Sequence, residues 1–310
     1  DMAEIWFDHF ITYTSAADID EYLKEYSHPG FFPEEGTVRH EPGLRNGFIF
    51  LGPEYIEFCW VEDERLFDEA DEEAKLVRES PRPFGIGMIT EDVHEIHADW
   101  TARGYSVPEV FSKAPRDAPA DAPPAWSFQE IPGELLPGAS CFALTYHKRT
   151  KQGEKKVKIH PNTIFAVAGV TFVSSEPEER AMRWRDVLVP EEQIIQSRLG
   201  FNVDIGPHQA WWMTPDAYHS TSGLDWVGAQ HPFGEIAVLH LLAADLDSAK
   251  NMLAQSGRQV VSTGVEVDQE LLVMADTRDG LVFSIQQQHP ETWLQERMAR
   301  TGENIRFLQD

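Results

Sequence analysis

Cysteine is nearly missing from this chain of 310 residues: Cys59 and Cys141 are the only two. Two thiols build neither a disulfide framework nor a structural zinc site. Both sit in apolar, strand-like surroundings, so they read as reduced core residues of a cytoplasmic protein. No run of about 18 apolar residues occurs, which argues against a membrane-spanning helix and a membrane partner. The opening residues Asp1-Met2-Ala3-Glu4 lack a basic stretch followed by an apolar one, so no signal peptide is read there. Basic residues are few as well: 26 Lys and Arg stand against 52 Asp and Glu, a formal charge of −26. A field of that sign repels phosphate backbones, and no basic stripe rises against it, which argues against a nucleic-acid partner. Acidic runs such as Asp68-Glu69-Ala70-Asp71-Glu72-Glu73 read as solvated faces.

What is present is the material of a packed interior. The chain is 42% hydrophobic and 11% aromatic, and long enough for two domains of ordinary size. Four segments share one order: a strand, a turn rich in Asp, Ser or Glu, then an amphipathic helix. They start at Phe7, Phe84, Phe165 and Glu235, and strand-like stretches such as Tyr55 to Val61, Phe142 to Lys148 and Leu281 to Gln286 follow the helices. The repeating unit is therefore βαβββ, about 70 to 80 residues long, and occurs four times. The basic run Lys148 to Lys158 marks the boundary between two pairs of units.

One pair of residues carries chemistry. His9 lies mid-strand in Trp6-Phe7-Asp8-His9-Phe10-Ile11, and Glu57 lies mid-strand in Tyr55-Ile56-Glu57-Phe58-Cys59-Trp60. Burying an imidazole and a carboxylate among aromatic and branched side chains is costly without a partner, which a metal ion or a bound substrate supplies. Imidazole with carboxylate suits Zn, Mn, Fe or Ni.

Asp8-His9 on the first strand, Tyr55-Ile56-Glu57 on the fourth, and the intervening Val38-Arg39-His40-Glu41-Pro42-Gly43-Leu44-Arg45-Asn46 resemble the vicinal oxygen chelate superfamily, and within it the glyoxalase-like group. The resemblance implies an α+β fold in which four βαβββ units form two tandem modules, residues 1–155 and 156–310. It implies a divalent metal held by His9 and Glu57, with His147 as a further ligand and His40 as a ligand or catalytic residue. Glu57 can also serve as the catalytic base, while Arg45, Asn46 and His160 are candidate substrate contacts. The activity implied is that of a metal-dependent lyase or isomerase, acting on a small oxygenated substrate through bidentate chelation. An extradiol-type dioxygenase and a non-catalytic sequestration protein are the alternatives. A small molecule is the expected partner, and a second copy of the chain is retained as another.

The second pair of units offers less. It carries Val167-Ala168-Gly169-Val170 and Trp211-Trp212-Met213 where ligands are expected, and Ile236 rather than His240 falls opposite His9. That half is expected to be structural or to cover the substrate. His240 reads as a satisfied core histidine, Trp211, Trp212 and Trp226 as core or interface filling, and His94 and His97 as a peripheral pair on a helix.

Overall fold

The computed structural model describes residues 4–15, 18–36, 43–63, 65, 81–114, 119, 122–147, 153–228, 231–256, 259–264, 270–275 and 278–308. For 259–264 and 270–275 it describes the backbone. His40 lies outside the described residues.

The chain opens with β1 (Ile5–Tyr13), α1 (Ile19–Glu25), β2 (Pro33–Glu35), β3 (Leu44–Leu51) and β4 (Glu54–Val61). A second strand–helix–three-strand run follows as β5 (Pro83–Thr90), α2 (Val93–Ala102), β6 (Phe111–Lys113), β7 (Trp126–Ile131) and β8 (Ser140–Tyr146). After the short β9 (Lys155–Val157) come β10 (Ile164–Val173), α3 (Pro177–Leu188), β11 (Ile195–Ser197), β12 (Gly200–Ile205), β13 (His208–Met213) and α4 (Pro215–Ser222). The last run is β14 (Ile236–Ala243), α5 (Leu246–Gln255), β15 (Gln259–Gly264), β16 (Glu270–Ala275) and β17 (Val282–Gln287), ending in α6 (Pro290–Thr301) and β18 (Ile305–Phe307). The βαβββ order read from the sequence therefore recurs among the described residues, in an α+β fold. None of the described helices is long and apolar enough to cross a membrane.

Helix starts follow the local chemistry. Asp18, Asp92 and Asp245 each cap a helix by accepting from backbone amides of the first turn. Two further helices, α4 and α6, lie outside the repeating unit; both carry Pro at the first turn and end on a left-handed glycine, Gly223 at φ 72° and Gly302 at φ 69°.

The strands form two eight-stranded sheets, β2-β3-β4-β1-β5-β8-β7-β6 and β11-β12-β13-β10-β14-β17-β16-β15, and β9 pairs parallel with β18. In each, the first strands of two units pair antiparallel at the centre, β1 with β5 and β10 with β14. Each of these has a parallel neighbour on its other side: β4, β8, β13 and β17 respectively. Alternation then sorts the side chains. Phe10, Ile56, Phe58, Ile86 and Met88 of the first sheet join Phe172, Trp212, Leu239 and Phe283 of the second in one buried cluster with the helices. The opposite face of each sheet is left for polar groups.

Two buried polar knots tie the halves together. Arg297 on α6 lies 2.6 Å from Glu54 at the start of β4 and 2.7 Å from Glu303, while His208 lies 3.2 Å from Glu54. Lys155 also pairs with Glu303. Burial pushes the Glu303 carboxyl up, but Arg297 and Lys155 outweigh it and hold the pKa at about 2. In the second knot, Tyr22 and Tyr26 donate their hydroxyls to the Asp279 carboxyl, and Thr12 donates to the Asp279 carbonyl at 2.6 Å. Burial drives the Asp279 carboxyl up to about 8, against backbone amides that lower it.

Removing Arg297 strands two buried carboxylates, so Arg297→Ala is expected to cost about 3–5 kcal/mol in chemical denaturation. Between the ordinary carboxyl value and pH 8 the folded chain keeps a proton on Asp279 that the unfolded chain releases. This contribution to stability is therefore full in acid and falls as pH rises toward 8. Asp279→Asn should flatten the decline between pH 5 and 8 in thermal unfolding. Identical slopes for both proteins would mean that the carboxyl is ionised in the fold.

Candidate active site

The open face of the first sheet is built on β1 and β4, which run parallel with His9 beside Tyr55 and Ile11 beside Glu57. A register shift in the β1–β5 ladder falls between Phe7 and His9, so Asp8 and His9 turn toward one another on one side of the sheet. His9 Nδ1 lies 2.8 Å from Asp8 Oδ2. In the tautomer that donates Nδ1–H to Asp8, Nε2 presents its lone pair, and it lies 3.8 Å from Glu57 Oε2. Asn46, beside Cys59 on the neighbouring strand, donates its amide to Glu57 Oε1. Both members of the pair are thus backed by a second polar group, and both are nearly closed off, His9 at 4% exposure and Glu57 at 8%.

Aromatic side chains frame the pair. The His9 ring stacks on Tyr55 at 4.6 Å and meets Phe142 at 5.4 Å. The Tyr55 and Tyr146 hydroxyls are 3.1 Å apart, and Tyr146 donates to Asp8 at 3.2 Å. Burial, with Asp8, Tyr146 and Glu57 close by, pushes the Tyr55 phenol well above its ordinary value, so it stays a donor and never a base. Room for the imidazole comes from Gly87, which sits opposite His9 on β5. Cys59 shares the face with Glu57 as its spacing implies, but packs with Tyr13 and Leu44, and burial holds its thiol up.

The other residues singled out from the sequence lie elsewhere. Arg45 and Asn46 are consecutive on β3 and point to opposite faces. Arg45 binds Asp20 of α1 at 2.8 Å, a strand-to-helix clamp instead of a substrate contact. His147 follows Tyr146 and turns to the opposite side, where Nε2 meets the Ser127 hydroxyl at 2.8 Å, so it does not reach His9 and Glu57. His160 accepts from Phe32 N at 3.0 Å and donates to Phe50 O at 2.7 Å. Both its nitrogens are spent on backbone, and burial lowers its pKa to about 4. It is a strut between the halves, which corrects the expectation of a substrate contact. Asp8, Tyr55, Tyr146 and Gly87 were not assigned roles from the sequence. Tyr55 could have been, because it stands two residues before Glu57 on one strand.

The donor chemistry fits a divalent cation. Imidazole and carboxylate are suitable ligands, their 3.8 Å separation is close to the span of two donors bonded at about 2.1 Å, and a carboxylate behind the imidazole is the usual support for a metal-bound His. The Asn46 Oδ1 is buried without a hydrogen-bond partner beside Glu57. Among the described residues no third His, Cys, Asp or Glu joins the pair.

The sequence profile of the glyoxalase-like domain family matches residues 7–188, which contain every group of this site. The chain belongs to the glyoxalase-like domain family. No protein of curated function matches it in sequence. Solved structures share the fold across nearly the whole glyoxalase-like chain. A hypothetical protein from Staphylococcus aureus is 12% identical, with 92% of this chain and 100% of that one covered at a TM-score of 0.58. A catechol 2,3-dioxygenase is 12% identical over 91% of this chain and 87% of that one, at 0.54. An Mn(II)-bound glyoxalase from Novosphingobium aromaticivorans is 10% identical over 92% and 82%, also at 0.54. The fold is that of the vicinal oxygen chelate superfamily.

A methyl group at Gly87 would stand 2.1 Å from His9 Cε1 and 2.6 Å from each ring nitrogen. Gly87→Ala must therefore expel the ring from its place on Asp8. We expect about 1–3 kcal/mol of lost stability from overpacking, read as a lowered melting temperature, together with loss of whatever binding His9 supports.

Proposed function

We propose that the open face of the first module, residues 1–155, is the active site of a divalent-metal-dependent enzyme of the lyase or isomerase kind. Its substrate would be a small molecule with two adjacent oxygens. The observation that carries this reading is the convergence of His9 Nε2 and Glu57 Oε2, each backed by a buried partner, in a glyoxalase-like chain. The module 156–310 would carry no metal.

His9 and Glu57 are the residues that would hold the cation. A bound divalent cation supplies Lewis-acid polarisation of the two substrate oxygens. The chain's own groups do the rest. Asp8 fixes the His9 ring and keeps its Nδ1 proton in place. Asn46 holds Glu57 Oε1 and thereby aims Oε2 at the cation site; Glu57 would act as a base only with Oε2 released from the cation. Tyr55 and Tyr146 donate hydrogen bonds and close the site against water, together with Phe142. A second reading, binding without turnover, draws on the two-donor count among the described residues.

Metal analysis of the purified protein, with melting temperatures after addition of Mn, Fe(II), Ni or Zn, tests the proposal. One equivalent of metal and a raised melting temperature are expected for the wild type, both lost in a His9→Ala Glu57→Gln variant. Asp8→Ala should weaken metal affinity about 10–100-fold while leaving the ligands in place. A wild type that holds no metal and gains no stability from any of the four would overturn the reading.

A further inference from the structure

The loop between β7 and β8 brings the first half against α3 and the start of β14. Glu235, the residue before β14, donates its amide to Gly138 O at 3.0 Å, and Trp184 of α3 donates its indole N–H to Pro137 O at 3.1 Å. Beside these contacts opens a cavity of about 500 Å³. Pro137, Pro232 and Phe233 give it an apolar wall, and Arg180 of α3, His231 and Glu235 give it three polar side chains.

Two of those side chains hold donors without acceptors. Arg180 Nε reaches both oxygens of Glu235, at 3.2 and 3.3 Å, and Ser174 gives its hydroxyl to Oε1 at 3.2 Å. The Glu235 charge is thus answered within the wall. No hydrogen bond among the described residues engages the Arg180 Nη groups. His231 Nδ1 accepts from the Phe233 amide at 3.1 Å, which puts the proton of the neutral ring on Nε2. That Nε2 is buried with no hydrogen-bond partner. Burial, with the Arg82 guanidinium nearby, lowers the His231 pKa, so at neutral pH the ring is uncharged and Nε2 is a fixed N–H donor. A buried donor without an acceptor is uncommon and costly. Here it belongs to a residue that lines a cavity together with an arginine.

We propose that this cavity is a binding site for a small aliphatic monocarboxylate, seated between the two halves. The Arg180 guanidinium and the His231 Nε2–H would take the carboxylate oxygens, and the short carbon chain would lie on Phe233 and the two prolines. The chemistry selects that class. Donors lacking acceptors call for a ligand that only accepts, which a carboxylate does and an ammonium group does not. One guanidinium, already shared with Glu235, answers a monoanion and not a dianion such as phosphate. The volume lies toward the small end of ligand pockets, which run from about 300 to 1,000 Å³. An occupant would tie the β7–β8 loop to α3 and to the start of β14, so its binding should stabilise the folded chain. The proposal is independent of the metal reading of the first sheet.

Butyrate is the probe and butyramide its neutral counterpart, both titrated in the presence of EDTA and followed by melting temperature and by the ring-nitrogen NMR signals of the histidines. Butyrate should raise the melting temperature of the wild type and shift the His231 Nε2 signal saturably. Butyramide should bind about tenfold more weakly or not at all. Arg180→Gln and His231→Gln should each weaken butyrate about tenfold, whereas Glu57→Gln should bind it as the wild type does. Arg180→Gln also unpairs Glu235, while His231→Gln leaves that pair intact and so separates lost binding from lost stability. The proposal is overturned by a wild type that does not bind butyrate, by butyramide binding as tightly, by affinity unchanged in both cavity variants, or by binding lost in Glu57→Gln.

Discussion

Antiparallel pairing between the first strands of neighbouring units is the constraint on which the rest of this molecule depends. It seats β1 against β5 and β10 against β14 at the centre of each sheet, with a parallel partner on the outer side of each. Strands so placed are covered on one face by helices and by the other sheet, and any large group on the other face must find space among neighbouring strands. An imidazole there needs a partner without a side chain. Gly87 opposite His9 meets that need on the first sheet. On the second sheet Gly169 answers a different one, since a side chain there would run into the Gln209 backbone of the neighbouring strand.

Alternation along the strands then separates stability from chemistry. On β4, Ile56 and Phe58 join the shared core, whereas Tyr55, Glu57 and Cys59 face the site. Keeping His9 and Glu57 nearly buried carries a desolvation cost that the apolar core has to offset, and the local answer is pairwise: Asp8 and Tyr146 for His9, Asn46 for Glu57. On the second sheet Asn202 Nδ2 and Ser284 Oγ are buried without such backing.

Much of this was legible in the sequence, and the failures share one cause. The strand order, the helix caps and the His9–Glu57 pair follow from periodicity and local chemistry, signals that reach only a few residues. The family resemblance puts Arg45 and His147 at the site, yet the period of two already sets each on the opposite face from its neighbour, Asn46 and Tyr146. His160 is a different case. Its partners Phe32 and Phe50 are more than a hundred residues away, and no local pattern reports a contact of that kind. The same holds for the Asp279 knot, where a turn of the second half meets Thr12, Tyr22 and Tyr26 of the first.

Those long-range contacts bear on the site itself. The β3–β4 turn carries Gly52 at φ 80°, close enough to the second sheet that a side chain there would press on Phe165 O and the Ala166 Cα. Two residues on, Glu54 enters the charged knot of His208, Arg297 and Glu303, and Glu57 follows three residues later. Phe7, two residues before His9, packs its ring on His208 at 5.4 Å. Both strands that bear the metal-ligand candidates are therefore anchored, within three residues of those candidates, to the C-terminal half. That half braces both strands, and among its described residues no His, Cys, Asp or Glu joins the His9–Glu57 pair, so the first sheet is not a self-sufficient module.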